Sequence, residues 1–130
     1  ESDQPFVEVV KSTFREIALG RVPEGYGFQA IRRVPAQMPD CNIPGVEIAP
    51  QQLITGNSMV VIVSRLTNRS YQPITVDESK CDSPALIGAA TWPSQKLAPG
   101  QSAELYVAVR QHVEVETNQR PSLLSTGIGR

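Results

Sequence analysis

Residues 59–66 read Met-Val-Val-Ile-Val-Ser-Arg-Leu, the strongest strand signal in the chain. The run is short, rich in β-branched residues, and apolar on both faces at its start. It lies between two turn signals, Thr55-Gly56-Asn57-Ser58 and Thr67-Asn68-Arg69-Ser70. That combination describes a central strand of a packed sheet. Further along, Ala103–Arg110 alternates: Ala103, Leu105, Val107 and Val109 fall on one side, and Glu104, Tyr106, Ala108 and Arg110 on the other. One side therefore faces a core, and the other faces water or a partner.

The rest of the chain fits around these strands. Residues 5–20 predict a helix, because Phe6, Val9, Val10, Thr13, Phe14 and Ile17 recur at steps of three and four. Pro5 suits the first turn and Gly20 the left-handed residue after the last. Tyr26–Val34 is expected as a strand with Phe28 and Ile31 inward. Val46 and Ile48 suggest a short strand ending before Pro50. Tyr71–Glu78 places Ile74 and Val76 on one face, with Pro73 marking an edge or bulge. Leu86–Trp92 reads as another short strand, and Leu97-Ala98-Pro99-Gly100 as a compact turn. Eleven prolines, nine glycines and few aromatics accord with short strands joined by many turns. The expected fold class is mainly β: an antiparallel β-sandwich with one N-terminal amphipathic helix over about residues 5–20.

At 130 residues the chain is sized for one domain, here residues 1–110, followed by a strand extension and tail over 111–130. That last stretch holds Leu123 and Leu124, an exposed-looking pair and candidate contact for a neighbouring subunit. Tyr106, on the outward side of its strand, is the other candidate interface residue. The formal net charge of −1 argues against a nucleic-acid binder. No apolar run approaches ~18 residues, so no membrane-spanning helix is expected. The chain starts at Glu1 without a signal-peptide pattern, as a mature product or a piece of a longer protein does.

Two cysteines, Cys41 and Cys81, sit in turn-rich sequence. They pair as a disulfide in an oxidising compartment such as a periplasm, or stay as free structural thiols. A zinc site of Cys41, Cys81, His112 and a carboxylate is a remote third arrangement, since the cysteines have no neighbouring ligands. His112 is the one histidine, so a Ser-His-Asp site has only it to use. There is no Gly-x-Ser-x-Gly elbow and no phosphate loop. Asp77 and Glu78 point to opposite faces of an extended segment. No cofactor, metal site or enzymatic activity is expected.

Several stretches together carry a pattern. Pro5-Phe6-Val7-Glu8 opens the helix, and Gly20-Arg21-Val22-Pro23-Glu24-Gly25-Tyr26 follows it. Next come Thr55-Gly56-Asn57-Ser58, Leu66-Thr67-Asn68-Arg69-Ser70 and Ile74-Thr75-Val76-Asp77-Glu78-Ser79. Leu97-Ala98-Pro99-Gly100-Gln101-Ser102-Ala103 and Leu105-Tyr106-Val107 close it. Their order over residues 5–110 resembles the C-terminal domain of the TraK family, periplasmic subunits of F-like conjugation machines. The resemblance implies a structural part of the outer-membrane core complex of a type IV secretion system. It implies a ring of copies with a TraV-like lipoprotein and a TraB-like subunit, supporting DNA transfer and pilus biogenesis, with no catalytic residues. The cysteine pair and the stretch after Arg110 depart from the pattern. A stand-alone periplasmic Ig-like binding or chaperone module is the rival reading, and a small hydrolase using His112 a third.

Overall fold

A computed structural model describes residues 3–111. The chain begins with helix α1 (Asp3–Ala18). Gly20, at φ +84°, ends it, and the N–H groups of Gly20 and Arg21 return to the carbonyls of Ile17 and Glu16. A left-handed residue costs glycine little because it has no Cβ.

The strands are β1 (Gly27–Ala30), β2 (Asp40–Cys41), β3 (Val46–Thr55), β4 (Met59–Asn68), β5 (Ile74–Thr75), β6 (Cys81–Asp82), β7 (Leu86–Trp92), β8 (Lys96–Leu97) and β9 (Ser102–Arg110). Five make one antiparallel sheet in the order β1-β3-β4-β9-β7. Two short ribbons, β2-β6 and β5-β8, form the second layer. The fold is an antiparallel sandwich with one short layer, and α1 packs on the outer face of its large sheet.

The central strand explains this arrangement. Side chains alternate along β4, so Val60, Ile62 and Leu66 point to the ribbons while Met59, Val61 and Val63 point to the helix. Antiparallel pairing sets Val107 opposite Ile62 and Tyr106 opposite Val63, which extends both layers into β9. Two cores result. The larger joins Ile62, Leu66, Leu105 and Val107 to Ile43, Val76 and Leu97 beneath the ribbons. The smaller joins Val10 and Ile17 of α1 to Ile54, Val61, Tyr106 and Ala108. Each fully buried aliphatic side chain contributes about 1.5–3 kcal/mol, so β4 and β9 anchor the domain.

Several expectations change. Residues 26–34 form only the four-residue β1, and Phe28 is 52% exposed, because β1 is the sheet's edge and lies beyond the helix's cover. Val9 is likewise exposed at 48%, on the rim of the helix's apolar stripe. The strand begun by Val46 and Ile48 does not stop at Pro50. A register shift between Pro50 and Gln52 absorbs the missing N–H, and β3 runs on to Thr55. Residues 71–78 are mostly turn: only Ile74–Thr75 pairs, and Tyr71 is 98% exposed. Val76 still fills the core, and Asp77 caps a turn of 3-10 helix over Glu78–Lys80.

Asn68 closes β4 and holds this region. Its amide donates to the carbonyls of Gln72 and Leu97 at 2.8 and 2.9 Å, and its Oδ1 accepts from the Ser70 N–H and hydroxyl. The residue is 1% exposed, so the turn signal Thr67-Asn68-Arg69-Ser70 is anchored by a buried side chain. Asn68→Ala strips the buried Leu97 carbonyl of this donor and is expected to cost about 2 kcal/mol. Chemical denaturation checks this; a loss below a few tenths of that figure refutes the role.

Candidate interaction surfaces

Cys41 and Cys81 face each other across the β2-β6 ribbon and form a disulfide, with S–S 2.06 Å. This resolves the choice between a bridge, free thiols and zinc ligands. Cys81 is buried against the larger core and Cys41 is half-buried at its edge, so the bridge fastens the short layer to the sheet. Among the described residues, no three His, Cys, Asp or Glu side chains gather as metal ligands. No helix among them is long and apolar enough to cross a membrane. His112, Leu123 and Leu124 lie outside the described residues.

Tyr106 does not face outward. It is 1% exposed, under α1, with its ring centroid 5.8 Å from that of Phe14. The alternation of β9 predicts one side against a core and the other against water or a partner. The partner of its second side is the chain's own helix. The Tyr106 hydroxyl donates to Glu104 Oε1 at 2.6 Å. Burial raises the phenol's pKa, and the hydrogen bond and the negative charge of Glu104 add to the shift. A raised folded-state pKa favours the protonated phenol, so this contribution to stability is full below about pH 10 and declines as pH rises further. Denaturation at pH 9 and pH 11 should show a loss that Tyr106→Phe reduces. An equal loss in both proteins would contradict it.

The helix covers only part of its sheet face. Past Ala18 the row Arg65, Glu104 and Trp92 is exposed. Two hollows flank the end of the helix there. One lies towards β1, between Ile17, Val22, Phe28 and Ile54, with a volume of about 370 Å³. The other lies towards β7, between Phe14, Ala18, Leu19, Ala90 and Trp92, with a volume of about 240 Å³ and with Lys11 and Arg15 on its rim. Small residues in β7 create it. A Cβ at Gly88 would stand 3.4 Å from Val10 Cγ1, so the helix lies close there, and Ala90 leaves space beside Phe14. Leu19 and Trp92 remain 58% and 48% exposed. Among the described residues β1 and β7 also leave one edge each unpaired.

This arrangement offers surfaces and two open sheet edges. Residues 1–109 match the family model described as the TraK C-terminal domain. The chain belongs to that family. The type 3 secretion system secretin of Pseudomonas syringae pv. syringae is similar to this chain, 41% identical over 68 residues. That match covers 51% of the TraK domain chain and 9% of the relative, so the chain spans a small part of that protein's length. The match to the family model ends at residue 109, one residue before the end of β9.

Two features of the TraK domain's surface escaped the sequence reading. Leu19 stands off the helix's apolar stripe beside the terminating Gly20, and Trp92 ends its strand after a run of small side chains, Gly-Ala-Ala-Thr. Each was a legible signal, a large apolar residue at an element's end. What only the fold shows is that the two line one groove.

Proposed function

We propose that this chain is a non-enzymatic structural subunit of a bacterial secretion-system assembly, acting through its outer surfaces. Membership of the TraK C-terminal domain family over residues 1–109 carries this reading. The similarity to a protein named as a secretin agrees with a role in secretion. In the finer form, the assembly is the outer-membrane core complex of a conjugative type IV system. The chain sits in the periplasm as a ring of copies with a TraV-like lipoprotein and a TraB-like subunit, and it supports DNA transfer and pilus biogenesis. The disulfide supports the oxidising compartment. Near-zero net charge supports contact with proteins and not with DNA directly. Open sheet edges and uncovered apolar ground suit an assembly component. A ring of identical copies joins two different patches at each contact, so the domain must offer both.

The test is isolation of the full-length protein from its native cells in mild detergent, followed by electron microscopy and identification of co-purifying chains. A ring containing a small lipoprotein and a second periplasmic subunit is expected, with DNA transfer lost on deletion of the gene. A chain that purifies alone, with transfer intact after deletion, overturns the proposal and favours a stand-alone binding module.

A further inference from the structure

We propose that the groove between α1 and β7 receives residues 112–116 of a neighbouring copy, making one of the ring's head-to-tail contacts. The inference rests on the ring-subunit reading. It starts from a chemical match. The groove has an apolar floor of Phe14, Ala18, Ala90 and Trp92. Its helix side carries Lys11 and Arg15, and among the described residues neither makes a salt bridge. Among the described residues Arg21 pairs with Glu16 and Arg69 with Glu47, while Lys11 and Arg15 flank apolar ground with no carboxylate bound to them. Residues 112–116 read His-Val-Glu-Val-Glu. In an extended conformation Val113 and Val115 share one side and Glu114 and Glu116 the other. The valines match the floor. The glutamates match the rim, because long Lys and Arg side chains lay their stems on apolar ground and carry their charges to the edge.

Reach decides which copy supplies the stretch. Gln111 is tied to the far end of the sheet, its N–H donating to the Ser58 carbonyl at 3.0 Å beside the Met59–Arg110 pair. The groove lies by the pairs Ala90–Tyr106 and Trp92–Glu104. Those positions are about 17–24 Å back along β9 from Gln111 at ~3.4 Å per residue. Val113 and Val115 extend at most about 7–14 Å from Gln111, and the chain must also reverse direction. The stretch therefore falls short of its own groove, whereas a neighbour's has no such limit. Groove and stretch are two different patches on one chain, as a head-to-tail ring contact needs.

Two full-length versions with different tags, expressed together, test this. One carries Leu19→Cys, at an exposed position on the groove, and the other Val113→Cys; Cys41 and Cys81 are already bonded to each other. Oxidation of the purified assembly should give a cross-linked pair holding both tags, which cannot arise within one chain. Replacing Leu19→Cys by Tyr71→Cys, exposed but outside the groove, should lose it. Lys11→Glu with Arg15→Glu should lower the yield by about tenfold or more through like-charge contact, and Glu114→Lys with Glu116→Lys in the other copy should restore it. An assembly of normal size without the mixed cross-link overturns the inference and leaves the ring reading standing, as does a different protein found in the groove. A wild-type chain that is monomeric under native conditions overturns both. A cross-link indifferent to the charge reversals overturns the assignment of residues 112–116 as the occupant.

Discussion

Tyr106→Ala should destabilise the domain by about 3–5 kcal/mol, the range for removing a large buried ring. Tyr106 is the largest fully buried side chain among the described residues, and it stands between the sheet and α1. Its loss takes away the surface on which Phe14 rests and opens a cavity that the rigid strand pairs of β4 and β9 cannot collapse to fill. Tyr106→Phe keeps the ring and gives up only the bond to Glu104, so it should cost about 1 kcal/mol. Urea titration of both variants measures the difference. Hydrogen exchange locates it: the alanine variant should lose protection first in α1, because Tyr106 is the fully buried ring on which Phe14 of the helix packs. A cost for Tyr106→Ala no greater than that for Tyr106→Phe would show that the helix is not held by this ring. The groove beside Phe14 would be altered too, so the alanine variant should also weaken ring assembly.

Joint replacement of Cys41 and Cys81 by serine should lower stability by about 4 kcal/mol, the chain-entropy figure for a bridge closing a loop of this length. In thermal terms that is roughly 15 °C for a domain of this size. The bridge joins positions separated by 40 residues, and that span includes β3 and β4, so it links the short layer to the strands that build the large sheet. The ribbon it fastens has only two residues in each strand, too few to persist on backbone pairing alone. Without it, Ile43 and Cys81's own core position lose their cover while β4 and β9 stay paired. Reductant applied to the wild type should reproduce the double variant's midpoint. Equal midpoints for oxidised and reduced protein would show that the ribbon is held by packing alone.

How far the fold was legible depends on how local the cause of each element was. β4, β7 and β9 were readable almost to the residue, since an unbroken apolar run, a short run between turns and a strict alternation are patterns within one segment. The helix and its end at Gly20 were readable for the same reason. β3 was cut short at Pro50, because a proline's tolerance in a strand depends on a bulge against the neighbour, here opposite Ser64. β1 is shorter than the sequence suggests, because its pairing stops at Gln52, beside the irregularity at Pro50 in its partner β3, which lies in another segment of the chain. The turn chemistry around Asn68 was recognised, but its buried hydrogen bonds to Gln72 and Leu97 were not, since Leu97 is distant in sequence.

The candidate surface divides in the same way. By itself the amino-acid order determined the mainly β class, the central strand, the helix, the near-neutral charge and the family pattern. All of these follow from residue type and spacing along a single segment. Tertiary structure alone decided that the second side of β9 lies under the chain's own helix, that Cys41 and Cys81 meet across a ribbon, and that Leu19 and Trp92 border one groove. The physical reason is that burial and adjacency arise from packing between segments, which spacing along the chain does not contain.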